Sequence, residues 1–266
     1  MIQCLAPDVT GYMNGSPDIE ASDNATCTLV FGASSLLAQA YIKRLANAHP
    51  DHRIIALSRG AMPDNLAALA QNVDWRQTDY DQQSLRLQME SLISPSCPLR
   101  RVAIFNGVLH DQHIQPEKRL EDIEPDQIES VLRTNTILPV IALQSVLPHL
   151  SRHRECVIAV VSARVGSISD NRLEGWYSYR ASKAGLNMLL KTASVEMARR
   201  CPLTKLIAFH PGTFDSPLSK PFQRSVPEGK LFEPAFVAER LVGIMDSAPF
   251  DGELSYLDWD NKKIEW

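Results

Sequence analysis

The sequence predicts an α/β protein with a single doubly wound parallel sheet flanked by helices. Short apolar runs rich in β-branched residues alternate with longer segments that have helical periodicity. Strands that alternate with helices are joined by right-handed crossovers, and such crossovers make the sheet parallel. The chain of 266 residues has no internal repeat and no low-complexity tract, so one domain accounts for it.

The elements follow one another along the chain. The apolar run 28–31 is the first strand and ends at a glycine; the periodic segment at about 36–48 is the first helix. Runs 53–58 and 101–106 are predicted to be buried strands. Run 156–162 is continuous and β-branched, as in a strand covered on both faces, and lies between long helical patterns at 125–150 and 177–200. Run 205–210 closes the set.

Residues 1–25 precede this pattern and are rich in Gly, Pro, Asn, Asp and Ser. They lack a basic region followed by an apolar stretch, which a signal peptide would have. We therefore expect a flexible extension at residues 1–25 and one domain at residues 26–266.

Composition argues against several classes of partner. The net charge of −4 favours neither a nucleic acid nor an anionic membrane, and no apolar run reaches the ~18 residues of a membrane helix. The five cysteines are scattered, and no pair of them has metal-type spacing. We therefore expect free thiols, no bound metal and a reducing, cytoplasmic location.

The segment around Tyr179 and Lys183 carries the clearest chemical signal. Residues four apart on a helix share one face, so the lysine cation would lie beside the phenol and lower its pKa. Such a tyrosine can exchange a proton with a substrate oxygen near neutral pH. Tyr-x-x-x-Lys also arises by chance, and an exposed helical pair is the alternative interpretation.

Parallel sheets bind ligands beyond the carboxyl ends of their strands, and four predicted strand ends carry suitable residues. The small-residue turn after the first strand would let backbone N–H groups reach a pyrophosphate at a helix N-terminus. Ser58 and Arg59, which follow the second strand, suit a 2′-phosphate and favour NADP over NAD, although NAD remains possible. A solvated surface arginine is the alternative. The residues assigned to the turn and to the other strand ends are Gly32, Ser34, Ser35, Leu37, Asn106, Gly107, Pro211, Gly212 and Thr213.

Taken in order, these motifs resemble the short-chain dehydrogenase/reductase family over nearly all of residues 28–266. The resemblance implies a Rossmann-type fold, an adenine contact from Asp79 and Tyr80, and a catalytic Asn135 that helps to hold a proton-relay water. It also implies that Tyr179 and Lys183 contact the cofactor as well as the substrate. Residues 162–172 and the tail 257–266 are similar to the C-factor-like branch, which includes small carbonyl reductases.

The sequence departs from the family pattern at three places. Leu36 and Ala38 stand where the glycine-rich turn has further glycines. Ala163 stands where the catalytic serine is expected, so Ser162 is the candidate for that role and Ser167 the reserve. The strand end Ile104-Phe105-Asn106-Gly107 replaces the usual Asn-Asn-Ala-Gly.

The sequence thus predicts hydride transfer between nicotinamide and a small carbonyl or alcohol substrate, with Tyr179 as acid or base and residues 215–234 as a substrate lid. We expect a homo-oligomer, either a dimer or a tetramer. His110 and His210 are expected to be structural. The alternative is a weak or inactive member that acts as a dinucleotide sensor. A sugar-nucleotide epimerase is disfavoured, because little chain follows Lys183.

Overall fold

The computed structural model describes residues 26–69 and 71–266. The expected flexible extension at residues 1–25 lies outside the described residues. The cysteines that are described, Cys27, Cys97, Cys156 and Cys201, are free thiols.

A seven-stranded parallel sheet forms the centre of the molecule, which confirms the predicted fold class. In chain order its strands are β1 (Cys27–Phe31), β2 (Arg53–Ser58), β3 (Val73–Gln77), β4 (Leu99–Ile104), β5 (Cys156–Val161) and β6 (Thr204–His210). Two short strands, β7 (Thr213–Phe214) and β8 (Leu231–Phe232), pair with each other, and β9 (Leu254–Asp258) closes the large sheet. The order in that sheet is β3-β2-β1-β4-β5-β6-β9.

Helices cover both faces of the sheet and build a separate apolar core on each. They are α1 (Leu36–Ala48), α2 (Gln82–Leu92), α3 (Pro125–Leu132), α4 (Leu138–Val146), α5 (Tyr177–Arg200) and α6 (Pro234–Asp246). One core packs α1 and α6 against the sheet, and the other packs α2, α4 and α5 against the opposite face. This double cover explains why most central strands are apolar along their whole length.

The strand order reverses between β1 and β4, and ligands bind at such a switch point. Gly32 follows β1 with a φ of +68°, and a Cβ there would lie 2.9 Å from the backbone nitrogen of Asn106. Only glycine fits where the two strand ends approach this closely. Gly32 therefore lets the ends of β1 and β4 come together at the switch point.

The predicted helix at 125–150 is interrupted. A five-residue π-helical turn, Arg133–Ile137, separates α3 from α4, and a short 3₁₀ turn, Leu147–His149, ends the segment. Residues 125–149 have the length and hydropathy of a membrane span, yet this segment packs against α2 and α5 in the core. The π turn carries Asn135, and π-helical turns are frequent at functional sites.

Candidate active site

A cleft of about 740 Å³ opens at the carboxyl ends of the central strands. It lies against the turn after β1, the ends of β4, β5 and β6, and the first two turns of α5. Most of the residues predicted from strand ends and from the Tyr-x-x-x-Lys motif line it: Ser34, Ser35, Leu37, Asn106, Gly107, Ser162, Tyr179, Lys183, Pro211, Gly212 and Thr213. The structure therefore brings together residues that are far apart in the sequence.

The turn after β1 leads directly into α1. Ser35 is the N-cap of this helix, and its hydroxyl accepts a hydrogen bond from the Ala38 N–H at 3.2 Å. Leu36 is 40% exposed and lines the cleft. Its side chain occupies the mouth of the site, where the family has a glycine.

Tyr80, an expected adenine contact, packs against the turn after β1. It is buried, its hydroxyl accepts a hydrogen bond from the Gly32 N–H at 2.7 Å, and the same hydroxyl lies 3.3 Å from the Leu57 carbonyl. Its φ of +63° turns the chain so that the ring lies beneath the glycine turn. The structure thus gives Tyr80 a supporting role, while Asp79 stays exposed beside it.

Ser58 and Arg59 follow β2 but do not line the cleft as it stands. Ser58 is buried, and its hydroxyl lies 3.4 Å from the Gly60 N–H. Arg59 is exposed beyond the strand end. No acid follows β2 directly, so a guanidinium is the charge that a ligand would meet at this edge.

Asn135 is buried and its side-chain amide is fully engaged. The Oδ1 atom accepts a hydrogen bond from the Val108 N–H at 2.7 Å, and Nδ2 donates to the Val108 carbonyl and to the Ser182 hydroxyl. Ser182 in turn donates to the Tyr179 carbonyl at 2.8 Å. Asn135 therefore ties the loop after β4 to α5, one turn from the candidate catalytic tyrosine.

Tyr179 and Lys183 share one face of α5, as predicted, but the pKa of Tyr179 shifts in the opposite direction from the prediction. The Lys183 ammonium donates to the Val161 carbonyl at 2.9 Å and lies 5.9 Å from the centre of the Tyr179 ring. Burial lowers the pKa of Lys183 to about 7. Burial also raises the pKa of Tyr179, and the nearby Tyr256 adds to this rise. The expected lowering of the tyrosine pKa is therefore not seen, because burial of the phenol itself dominates the shift.

Both candidate serines have hydroxyls that are already engaged in hydrogen bonds. The Ser162 hydroxyl is buried and donates to Asn187 Oδ1 at 2.7 Å, while Ser162 itself lines the cleft, so its catalytic role stays a prediction. Ser167 is also buried, and its hydroxyl accepts from the Asp170 N–H. Strand alternation explains the result for Ser162, since neighbouring side chains leave opposite faces. Ala163 itself lines the cleft.

Two buried polar atoms bordering the cleft have no hydrogen-bond partner among the described residues. They are Asn106 Oδ1 and His210 Nδ1. Burial lowers the pKa of His210 to about 4, and the nearby Arg164 cation acts in the same direction. Because an unpaired buried polar atom is costly, both atoms are suited to bind a polar ligand that enters the cleft.

The far wall of the cleft is aromatic and was not predicted. The Trp176 ring lies 6.1 Å from the Tyr179 ring and 4.9 Å from the Phe222 ring. Phe222 comes from the predicted lid, residues 215–234, and also contacts the expected structural residue His110. No motif marks Phe222, and the adjacency of Trp176 to the Tyr-x-x-x-Lys motif was the only available signal.

Comparison with known proteins agrees with this architecture. Residues 26–226 match the family described as short chain dehydrogenase. An NADPH-bound carbonyl reductase from chicken fatty liver superimposes with a TM-score of 0.73 at 20% identity, covering 91% of this chain and 99% of that one.

Curated relatives are distant in sequence. Benzil reductase ((S)-benzoin forming) of Bacillus cereus is 25% identical over 54% of this chain and 64% of its own length. The 1-hydroxy-2-glutathionyl-2-methyl-3-butene dehydrogenase of Rhodococcus sp. is 25% identical over 90% of this chain and 98% of its own length. C-signal of Myxococcus xanthus is 29% identical over 38% of this chain and 60% of its own. Together with the family match over three quarters of the residues, the cleft geometry identifies the chain as a member of the short-chain dehydrogenase family.

Proposed function

We propose that this chain is an NADP(H)-dependent oxidoreductase that interconverts a carbonyl compound and its alcohol. The observation that carries the proposal is the pair Tyr179 and Lys183, which faces the same cleft as the turn after β1. The nicotinamide supplies or accepts the hydride when the cofactor is bound. Tyr179 donates a proton to the carbonyl oxygen, or accepts one from the alcohol.

The residues around the cleft fit a dinucleotide. Backbone N–H groups from Ser34 to Leu37, at the N-terminus of α1, suit a pyrophosphate. The unpaired Asn106 Oδ1 and the Lys183 ammonium suit ribose hydroxyls, and the turn 211–213 suits the nicotinamide. Two expected contributors take other roles in this proposal: Tyr80 supports the turn, and Asn135 holds the loop after β4.

Tyr179→Phe tests the proposed chemistry. The variant keeps the ring but lacks the proton donor, so NADPH-dependent turnover should be lost while NADPH binding is retained. Tyr177→Phe is the matched control, because Tyr177 lies on the same helix but outside the residues that line the cleft. Turnover in Tyr179→Phe at the level of the control would refute the proposed role.

Arg59 supports the choice of NADP(H) over NAD(H). Its guanidinium can pair with a 2′-phosphate, and two similar folds with NADP or NADPH bound are known from Burkholderia multivorans and chicken. Calorimetric titration of the wild type should give tighter binding of NADPH than of NADH. Arg59→Ala should remove most of that difference. Arg76→Ala should keep it, because Arg76 already pairs with Asp74.

The substrate is proposed to be an uncharged carbonyl compound. No acidic residue lines the cleft within the described part of the chain, which disfavours a cationic substrate. Of the cations at its border, Arg164 already pairs with Asp170 and Asp258, and the Lys230 ammonium lies 5.5 Å from the centre of the Trp259 ring. The aromatic wall and the benzil reductase relative make aryl ketones and diketones the first compounds to screen. Faster turnover of a keto acid than of its neutral ester would contradict this choice.

A dinucleotide sensor is the second candidate. Ala163 at the place of the catalytic serine favours it, and so does the exposed Leu36 at the mouth of the site. Tight NADPH binding without turnover across the carbonyl screen would support the sensor. Turnover that disappears in Tyr179→Phe would exclude it.

A further inference from the structure

The helix that carries Tyr179 begins without a cap of its own. The N-cap position of α5 is Trp176, in a left-handed conformation (φ 57°, ψ 38°), and its side chain makes no capping hydrogen bond. The first N–H groups of a helix need partners, and a helix that lacks them frays. Tyr179 is the third residue of α5, so fraying would displace the candidate catalytic residue directly.

Glu117 supplies the missing partners from a loop 61 residues earlier in the chain. Its carboxylate is 3% exposed, lies 3.3 Å from the Ser178 N–H through both oxygens, and accepts a hydrogen bond from the Ser178 hydroxyl. An anion at a helix N-terminus is also stabilised by the helix dipole. A buried carboxylate is costly without such partners, so this arrangement is specific rather than incidental.

The backbone of Glu117 makes a second attachment to the same turn. Its carbonyl accepts a hydrogen bond from the Trp176 N–H at 2.6 Å. A Cβ on Gly175 would lie 3.0 Å from that carbonyl oxygen, and Gly175 has a φ of +78°. A glycine is therefore required for the loop and the turn to approach this closely. Glu117 thus holds residues 176 and 178, on both sides of the start of α5.

We propose that Glu117 is a positioning residue for Tyr179, acting through the first turn of α5. The proposal rests on the proposed function, in which Tyr179 transfers the proton. Lys183 lies one turn further along and has its own attachment to the Val161 carbonyl. Loss of Glu117 should therefore affect proton transfer far more than cofactor binding.

Glu117→Ala is the first test. We expect kcat to fall by about tenfold to a hundredfold, because a small displacement of a reacting group has an effect of that size. The Kd for NADPH, measured by fluorescence, should change less than about threefold because the other cofactor residues keep their attachments. Glu117→Gln should recover most of the lost kcat, because the amide oxygen accepts the same hydrogen bonds.

Ser178 provides an independent variant that keeps the carboxylate. Ser178→Ala removes only the hydroxyl bond, so kcat should fall less than in Glu117→Ala. The double variant should be no slower than Glu117→Ala, because the two side chains act through one interaction. If Glu117→Ala does not fold, Ser178→Ala and Glu117→Gln still measure the effect.

Asp251→Asn is the matched control for a general loss of stability. Asp251 pairs with the buried Lys205 at the start of β6, at the opposite end of the sheet from the cleft. This variant should lower the melting temperature and leave kcat unchanged. If Glu117→Ala lowers the melting temperature but keeps kcat within twofold of wild type, the inference is wrong.

Failure of the proposed function can be told apart from failure of this inference. Suppose that the wild type and Glu117→Ala both turn over substrate while Tyr179→Phe does not. That result would contradict the inference and leave the proposed function intact. If the wild type shows no turnover, the proposed function is wrong. Hydrogen exchange then decides the inference: Glu117→Ala should expose the Ser178 and Arg180 amides, which are bonded at the first turn, while the middle of α5 stays protected. Unchanged protection of these two amides would overturn the inference.

Discussion

At the scale of single residues, Ala163 stands where the resemblance leads us to expect a catalytic serine, and it lines the same cleft as Tyr179. The Tyr256 hydroxyl donates to the Ala163 carbonyl at 2.6 Å, so the backbone at this position is fixed. A side chain at residue 163 would face the cleft without rearrangement, since Ala163 already lines it. What the position lacks is a hydroxyl.

Ala163→Ser should raise kcat, by up to roughly a hundredfold if the hydroxyl meets the developing oxyanion. Steady-state reduction of an aryl diketone with NADPH measures the effect. Ser162→Ala should change kcat little, since the Ser162 hydroxyl is bound to Asn187. A large loss of kcat in Ser162→Ala, with no gain of kcat in Ala163→Ser, would indicate that Ser162 supplies the catalytic hydroxyl.

Lys183 should make stability depend on pH. Its pKa of about 7 in the folded protein lies below its ordinary value of 10.5. Between these values the unfolded chain binds more protons than the folded one, so stability rises with pH, by up to about 1.4 kcal/mol per pH unit. The buried thiols of Cys27 and Cys156 have raised pKa values and act in the opposite direction above about pH 9.

Both pH 7.5 and pH 8.5 lie inside this window and below the range of the thiols. Urea denaturation of the ligand-free protein at these two pH values therefore isolates the contribution of Lys183 to stability. Wild type should be more stable at the higher pH, and Lys183→Met should lose that gain. Equal pH dependence in the two proteins would show that Lys183 keeps its proton across this range.

At the scale of elements, α5 is positioned by the short turn that follows β5. A Cβ on Gly166 would lie 2.8 Å from the Lys183 carbonyl carbon, which is backbone and cannot turn aside. Gly166→Ala should therefore cost about 1–3 kcal/mol and weaken NADPH binding, because the helix must move. Gly243→Ala is the control in α6, where a Cβ meets nothing within 4 Å. It should stabilise the protein by roughly 0.5–1 kcal/mol in the same denaturation assay.

The central strands and the helices with the strongest periodicity could be predicted from the sequence, whereas the edge strands and helices α2 and α6 could not. Helices α1 and α5 and strand β2 have the predicted bounds. Strands β3 and β9 were missed because they lie at the edges of the sheet, where one neighbour is absent and polar residues are tolerated. The π turn at Asn135 was also missed, since periodicity does not distinguish it from an α-helix.

The residues of the candidate site likewise fall into a group that the sequence could predict and a group that it could not. Residues that meet at strand ends could be predicted, because a parallel sheet brings those ends to one edge. Tyr80 and Glu117 could not, since their roles depend on buried hydrogen bonds to distant turns. The raised pKa of Tyr179 was missed because spacing reveals a neighbouring lysine but does not reveal its burial.

At the scale of the whole molecule, the outer face of α5 is the surface that we expect a second copy to cover. Met188 and Val195 are 66% and 58% exposed on it, and an apolar face of this kind marks an interface. A two-fold axis would pair the face with itself. We expect the wild type to be a dimer or tetramer in light scattering, and Val195→Asp to be a monomer. Leu87→Asp should not be a monomer, because Leu87 is equally exposed but lies on α2.

Residues 264–266 pack against the fold, and this packing has a practical consequence for protein production. Ile264 is buried, the Trp266 ring stacks on Tyr256 with 5.0 Å between centres, and the Trp266 carbonyl accepts from the Ser169 N–H. A purification tag fused directly after Trp266 would pull on the turn that follows Ala163. Thr26 leads into β1 at the opposite end of the sheet from the cleft, so we expect a tag placed before β1 to disturb kinetic measurements less.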